Sequence, residues 1–254
     1  MLKTTFAAIK QALSNKGFLI GIIGVILVIF LSSTESMIEA FRSEELLANS
    51  FHGTLILNAL TSDGMTLALP ILCALPYTTS FVDDIKSGFV KEYLPRTTTR
   101  RYISGKLVAC AISGGLVIAL GILFASGIAT LVFSPMEAAL AKDAEAPAYF
   151  VDLMARIPLF FFTGAFLSVL GMTFATLTNS KYMAYASPFV LYYVLIILYE
   201  RYFDALYVLY PKEWLNPSDA WMWGDTGVAL LMLELIIIVA LCFGTAAKRR
   251  LAQI

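Results

Sequence analysis

Residues 107–133 read LVACAISGGLVIALGILFASGIATLVF, without a charged side chain from one end to the other. A helix needs roughly 20 apolar residues to cross the ~30 Å hydrocarbon core of a bilayer, so this run reads as a membrane span. Five further runs come near that length: 17–31, 65–82, 157–177, 183–199 and 226–244, the last broken only by Glu234. None alternates with period two, which speaks against an outer-membrane barrel. Composition points the same way, with 59% hydrophobic and 14% charged residues and a mean hydropathy of +0.80. Soluble domains are ~45–50% apolar and ~25% charged. A formal net charge of +0 lacks the basic footprint of a nucleic-acid binder. The expected class is all-α, a polytopic membrane protein with six transmembrane helices.

The first run has the length of a signal-peptide core, but no A-x-A cleavage pattern follows it. Ahead of it, Leu2, Phe6, Ile9 and Leu13 recur at helical spacing while Lys3, Lys10, Gln11, Asn15 and Lys16 take other faces. That spacing predicts an amphipathic connecting helix over 1–16, lying in the headgroup plane, and a single six-helix domain over 17–254. Cys73, Cys110 and Cys242 fall in apolar runs without ligand spacing and read as small buried hydrophobes. His52 has no acidic or cysteine neighbour within a few residues and reads as a polar loop histidine. No metal site is expected.

Orientation follows from the basic residues. With a cytoplasmic N-terminus, the inner segments carry 13 Lys and Arg and the outer ones 5, as the positive-inside rule requires. Both termini are then cytoplasmic. Acidic residues run the other way, so the neutral total hides a charge separation across the membrane. The outward segment 200–225 holds Tyr207, Tyr210, Trp214, Trp221 and Trp223. Such rings favour the interface, and the segment reads either as a stretch dipping into the outer leaflet, at the position of a gate, or as an aromatic belt on two helix ends.

Intramembrane enzyme chemistry is missing from the pattern. There is no G-x-S-G around Ser104, Ser113 or Ser126, no H-E-x-x-H, and no G-x-G-D around Asp225. Ser104-Gly105-Lys106 is followed by Leu107 where a phosphate loop needs Ser or Thr for Mg²⁺. The chain is therefore expected to have no catalytic residues and no ATPase motif. Glu234 is the one ionisable residue deep in a span, where a charge costs about 2.5–3.5 kcal/mol on insertion scales. It reads as a proton relay, as a contact for a cationic substrate, or as an interhelical hydrogen bond to Thr, Ser or Tyr. Small residues recur as Gly17-x-x-x-Gly21 with Gly24, Gly114-Gly115 with Gly121, and Gly164-x-x-x-Ser168 with Gly171. They allow close helix approach, either inside the bundle or between two copies.

The inner connection 83–106 places Ile85, Phe89, Val90, Tyr93 and Leu94 at helical spacing before Pro95 ends the pattern, and a basic half follows. It reads as a docking surface for a soluble partner or as a loop whose charges only set topology. The run Phe81-x-Asp83-Asp84-x-x-x-Gly88, then Tyr93-Leu94-Pro95-x-Thr97, then Arg100, Arg101, Tyr102, Ile103 and Lys106 resembles the first cytoplasmic loop of ATP-binding-cassette type 2 permeases. Asp83-Asp84 stands where that family more commonly carries glutamate, and the Ser87-Gly88 pair also departs from it.

The resemblance implies a coupling loop in which Asp83, Asp84, Lys86, Gly88, Leu94, Pro95, Arg96, Arg100 and Arg101 meet a separate ATP-binding cassette ATPase subunit. It further implies a half-transporter paired with a second permease chain, identical or sibling. No cofactor is implied in this chain; ATP and Mg are bound by the partner ATPase. The implied setting is the bacterial cytoplasmic (inner) membrane, multi-pass in the lipid bilayer, and the implied cargo is an amphipathic peptide of toxin or antimicrobial kind, or a similar amphiphile. The alternatives are an ion- or proton-coupled carrier using Glu234 and a non-transporting membrane scaffold.

Overall fold

The computed structural model describes residues 2–43, 46–138, 149–203 and 206–253, with backbone alone at 2–4 and 96. In chain order the helices are α1 (Leu2–Leu13), α2 (Lys16–Ser32), α3 (Thr34–Arg42), α4 (Phe51–Leu60), α5 (Asp63–Leu72), α6 (Ser80–Lys86), α7 (Phe89–Tyr93), α8 (Thr99–Phe133), α9 (Tyr149–Thr178), α10 (Lys181–Arg201) and α11 (Gly224–Leu251). Among the described residues there is no strand, only an isolated bridge between Leu47 and Glu137. Helices α8 to α11 are each long and apolar enough to cross a membrane. Two bent pairs, α1 with α2 at 52° and α4 with α5 at 65°, raise the number to six if each pair counts as one span. The protein is thus all-helical, with four to six apolar spans.

The start of the chain forms α1, which buries Ala12 and leaves Phe6 exposed, and Asn15 explains the bend after it. Its side-chain oxygen accepts from the Gly17 backbone N–H at 3.2 Å, capping α2, while its amide donates to the Pro76 carbonyl at 2.6 Å. Gly17 is required beside it: a Cβ there would lie 2.4 Å from the Leu75 carbonyl oxygen.

The second apolar run departs from expectation. Residues 65–82 do not form one helix; α5 stops at Leu72, and 73–79 continue as turns before α6 begins. Pro76 lacks an N–H and disfavours helical backbone at the residue before it. The Thr78 hydroxyl instead donates to the Ala74 carbonyl at 2.5 Å. Upstream, outside the six apolar runs, lies the apolar helix α4, which buries His52, Leu55, Ile56, Ala59 and Leu60.

Helix α9 is the hub, with 72% of its most apolar stretch buried. It meets α8 through glycine: a Cβ on Gly114 would fall 2.3 Å from that of Ser168, whose hydroxyl donates to the Cys110 carbonyl at 3.1 Å. Gly21 faces Val117, Gly121 faces Val25, and Gly171 faces the Ala184 carbonyl. The small residues recognised in the sequence are therefore used inside the bundle. Cys73 and Cys110 are buried as expected, but Cys242 is exposed on α11.

Candidate functional site

One end of the bundle gathers α1, α6, α7, the starts of α8 and α10, and the ends of α9 and α11. A separate apolar core, made of Ala12, Tyr77, Phe81, Val90, Tyr102, Phe243 and their neighbours, joins all of these but α10. Phe81 meets Phe243 edge-on, with centroids 5.4 Å apart. The region 83–106 is built on this core. The continuous helix suggested by its spacing is broken into α6 and α7 by Gly88, whose φ of +77° is a left-handed backbone suited to glycine.

Asp84 points inward. Its carboxylate lies 2.8 Å from the Lys106 ammonium and accepts from the Tyr102 hydroxyl at 2.7 Å. Lys106 is only 5% exposed, and its ammonium sits over the Tyr77 ring at 4.8 Å from the centroid. Tyr77 in turn donates to the Gln11 side-chain oxygen of α1 at 3.0 Å. Charge in an apolar setting is tolerated when paired and hydrogen-bonded, as here. These groups line an open cleft of about 170 Å³ between α1 and the α6–α8 corner. Asp83 is tied elsewhere, forming an ion pair with Lys181 at the start of α10 and accepting from the Thr79 hydroxyl at 2.8 Å.

The sequence-derived set thus divides by direction. Asp84 faces inward and Asp83 binds α10, while Lys86, Pro95, Arg100 and Arg101 are exposed and Gly88 and Leu94 are half-buried. The Arg96 side chain lies outside the described residues. Exposed Phe89 stacks on Tyr93 at 5.2 Å beside them. Nearby, Arg250 donates to the Thr176 and Leu177 carbonyls at 3.2 and 2.7 Å, closing the C-terminus of α9.

At the opposite end the aromatic segment folds on itself. Trp214 is 1% exposed, donates to the Val208 carbonyl at 2.9 Å, and meets Phe166 and Tyr192 edge-on. It is a core residue, anchoring the segment to α9 and α10. Trp221 donates to Glu213 at 3.1 Å and packs against Tyr207. Tyr210 stacks on Tyr199 at 4.1 Å and donates to Glu200 at 3.0 Å. Partial burial, then that hydrogen bond and the carboxylate's charge, push the Tyr210 phenol up to about 12. Trp223, 65% exposed, faces outward, as do Tyr202 and Phe203.

His52 is not a loop residue. It lies buried in the first turn of α4, with Nδ1 2.6 Å from Glu137 and Nε2 2.8 Å from the Tyr149 hydroxyl. Glu137 also accepts the backbone N–H groups of Ser50 at 3.1 Å and His52 at 2.8 Å, acting as a cap for α4 from 85 residues away. Local spacing carries no signal for such a contact; the only hint is a lone histidine at the head of an apolar run.

Glu234 departs from the interhelical hydrogen bond considered for it. Helix α11 meets the bundle through Val228, Met232, Phe243, Ala246 and Ala247, and Glu234, two residues beyond Met232, is turned about 200° away. It is exposed and has no hydrogen bond or ion pair among the described residues. Among those residues, no group of His, Cys, Asp and Glu could hold a metal ion. No family model, curated protein or solved structure matches this chain.

Proposed function

We propose that the chain is the permease subunit of an ATP-driven exporter in a bacterial cytoplasmic membrane, working with a second permease chain and separate ATPase subunits that bind ATP and Mg. Its cargo is an amphipathic peptide or a similar amphiphile. The observation that carries this reading is the fastening of the region 83–106. The Asp84–Lys106–Tyr102 cluster and the core around Phe81 join α6 and α7 to α1, α8, α9 and α11. The Asp83–Lys181 pair adds α10. A push on the exposed Lys86, Arg100 and Arg101 is then delivered to several helices together, as rigid-body switching requires.

The resulting division of labour is specific. Inward-facing Asp84 and Lys106 transmit, and the outward basic residues with Phe89 receive. Co-expression with the product of any neighbouring gene that carries a Walker A sequence tests it. The pair should co-purify, and charge reversal at Arg100 and Arg101 should release the ATPase while the permease keeps its elution volume and melting temperature. Absence of an associating ATPase, or association indifferent to that reversal, removes the exporter reading and leaves a carrier or scaffold.

A further inference from the structure

Glu234 has an unusual setting for an intramembrane carboxylate. Only 17% of the most apolar stretch of α11 is buried, and Glu234 stands on the outward face among Leu230, Leu233, Ile237, Ile238 and Leu241, all at least 39% exposed. At 1.5 Å rise per residue, the hydroxyls of Thr226 and Thr245 are about 12 and 16 Å away along the helix. Nothing described in this chain satisfies the carboxylate, and acyl chains carry no donor. Ionisable groups at membrane depth are expensive and mark functional contacts.

The face itself selects among occupants. A two-fold contact centred on this stripe would set it against itself, opposing each carboxylate to aliphatics or to its twin. Between 230 and 241 the exposed positions around Glu234 are large aliphatics, without the small residues that let helices approach closely. A long aliphatic stripe with one anionic centre matches a molecule having an apolar body and one positive head. We infer that the α11 face at 230–241 is a lateral binding site for a membrane-partitioned cationic amphiphile. Glu234 receives the ammonium or guanidinium in a charge-assisted hydrogen bond, and the Leu and Ile side chains receive the apolar body. This gives the cargo of the exporter proposed above a charge class. The inference rests on that reading for the cargo, but binding requires no ATPase.

The test uses the full chain in nanodiscs of zwitterionic phospholipid, without ATPase, and a dodecylamine carrying a diazirine. Photolabelling should be saturable, should map to peptides covering 230–241, and should be competed by dodecylamine but not by dodecanol. Glu234→Gln should weaken labelling about tenfold, and Glu234→Asp should retain the preference for the amine. Unchanged elution volume and melting temperature show that both variants fold. Equal competition by the alcohol, or labelling unchanged in Glu234→Gln, would overturn the site. So would an unlabelled segment whose exposed Cys242 oxidises to a disulfide-linked dimer, which assigns the face to a second copy. Because the assay contains no ATPase, these failures are separate from failure of the co-purification experiment.

Discussion

Glu137 and Glu234 are two glutamates set against apolar helices, and the structure treats them oppositely. Glu137 takes donors from Ser50, from the His52 backbone and from the His52 ring. Glu234 takes none among the described residues. The same contrast separates Asp84, locked to Lys106 and Tyr102, from the free face of α11. A carboxylate supplied with three donors holds distant elements in place, whereas one left bare on an apolar face contributes little to folding. The difference teaches where stability and recognition are divided in this molecule.

The sharpest way to break the comparison is at Lys106. Replacing it with Met leaves Asp84 in its largely enclosed site without its cation, and removing one partner of a buried pair costs about 3–5 kcal/mol. Lys106→Met should therefore melt far below the wild type in detergent. The double variant with Asp84→Asn should recover part of the loss, and a strictly additive double variant would mean that the pair is not coupled.

Next in size is the α8–α9 contact. Gly114→Leu forces a side chain against Ser168, and overpacking of this kind costs about 1–3 kcal/mol. Gly127→Leu, on the open face of α8, should by contrast leave the melting temperature within about 2 °C. If the two variants melt alike, the glycines are not packing elements.

Glu137→Ala strands the donors at the head of α4, and unsatisfied groups of this kind cost about 1–3 kcal/mol. Hydrogen exchange should accelerate first over 47–60, and His52→Ala should give a milder version of the same pattern. The smallest effect belongs to Glu234→Gln, expected within about 0.5 kcal/mol of wild type, as for exposed substitutions generally. A large loss of stability there would show that Glu234 is a packing residue after all and would erase the contrast with Glu137.

Much of this architecture is legible in the chain because long apolar runs answer to a single local constraint. Residues 107–133, 157–177, 183–199 and 226–244 all lie within helices of the structure, since a bilayer-length helix satisfies its own backbone whatever its neighbours do. The run 65–82 misleads because hydropathy does not register the missing N–H of Pro76, and α4 is overlooked because ten residues are too few for a span. The candidate site was half legible. Spacing marks 83–106 as a unit, but the inward turn of Asp84 depends on Lys106, one face of α8 and a tyrosine from 77. Trp214 reads as an interfacial ring and is a core anchor, because an indole N–H can be satisfied by a turn carbonyl as well as by water.

By itself the sequence determined the all-helical class and where along the chain most of the apolar helices lie. These are properties of segments, set by the 3.6-residue repeat and by transfer from water. Only the tertiary structure decided that Glu137 and Asp84 are paired while Glu234 has no partner among the described residues. Pairing Glu137 with His52, or Asp84 with Lys106 and Tyr102, requires groups far apart along the chain or on different helices to meet within about 3 Å. Hydropathy depends on what a residue is, while an ion pair or an orphaned charge depends on what stands opposite it.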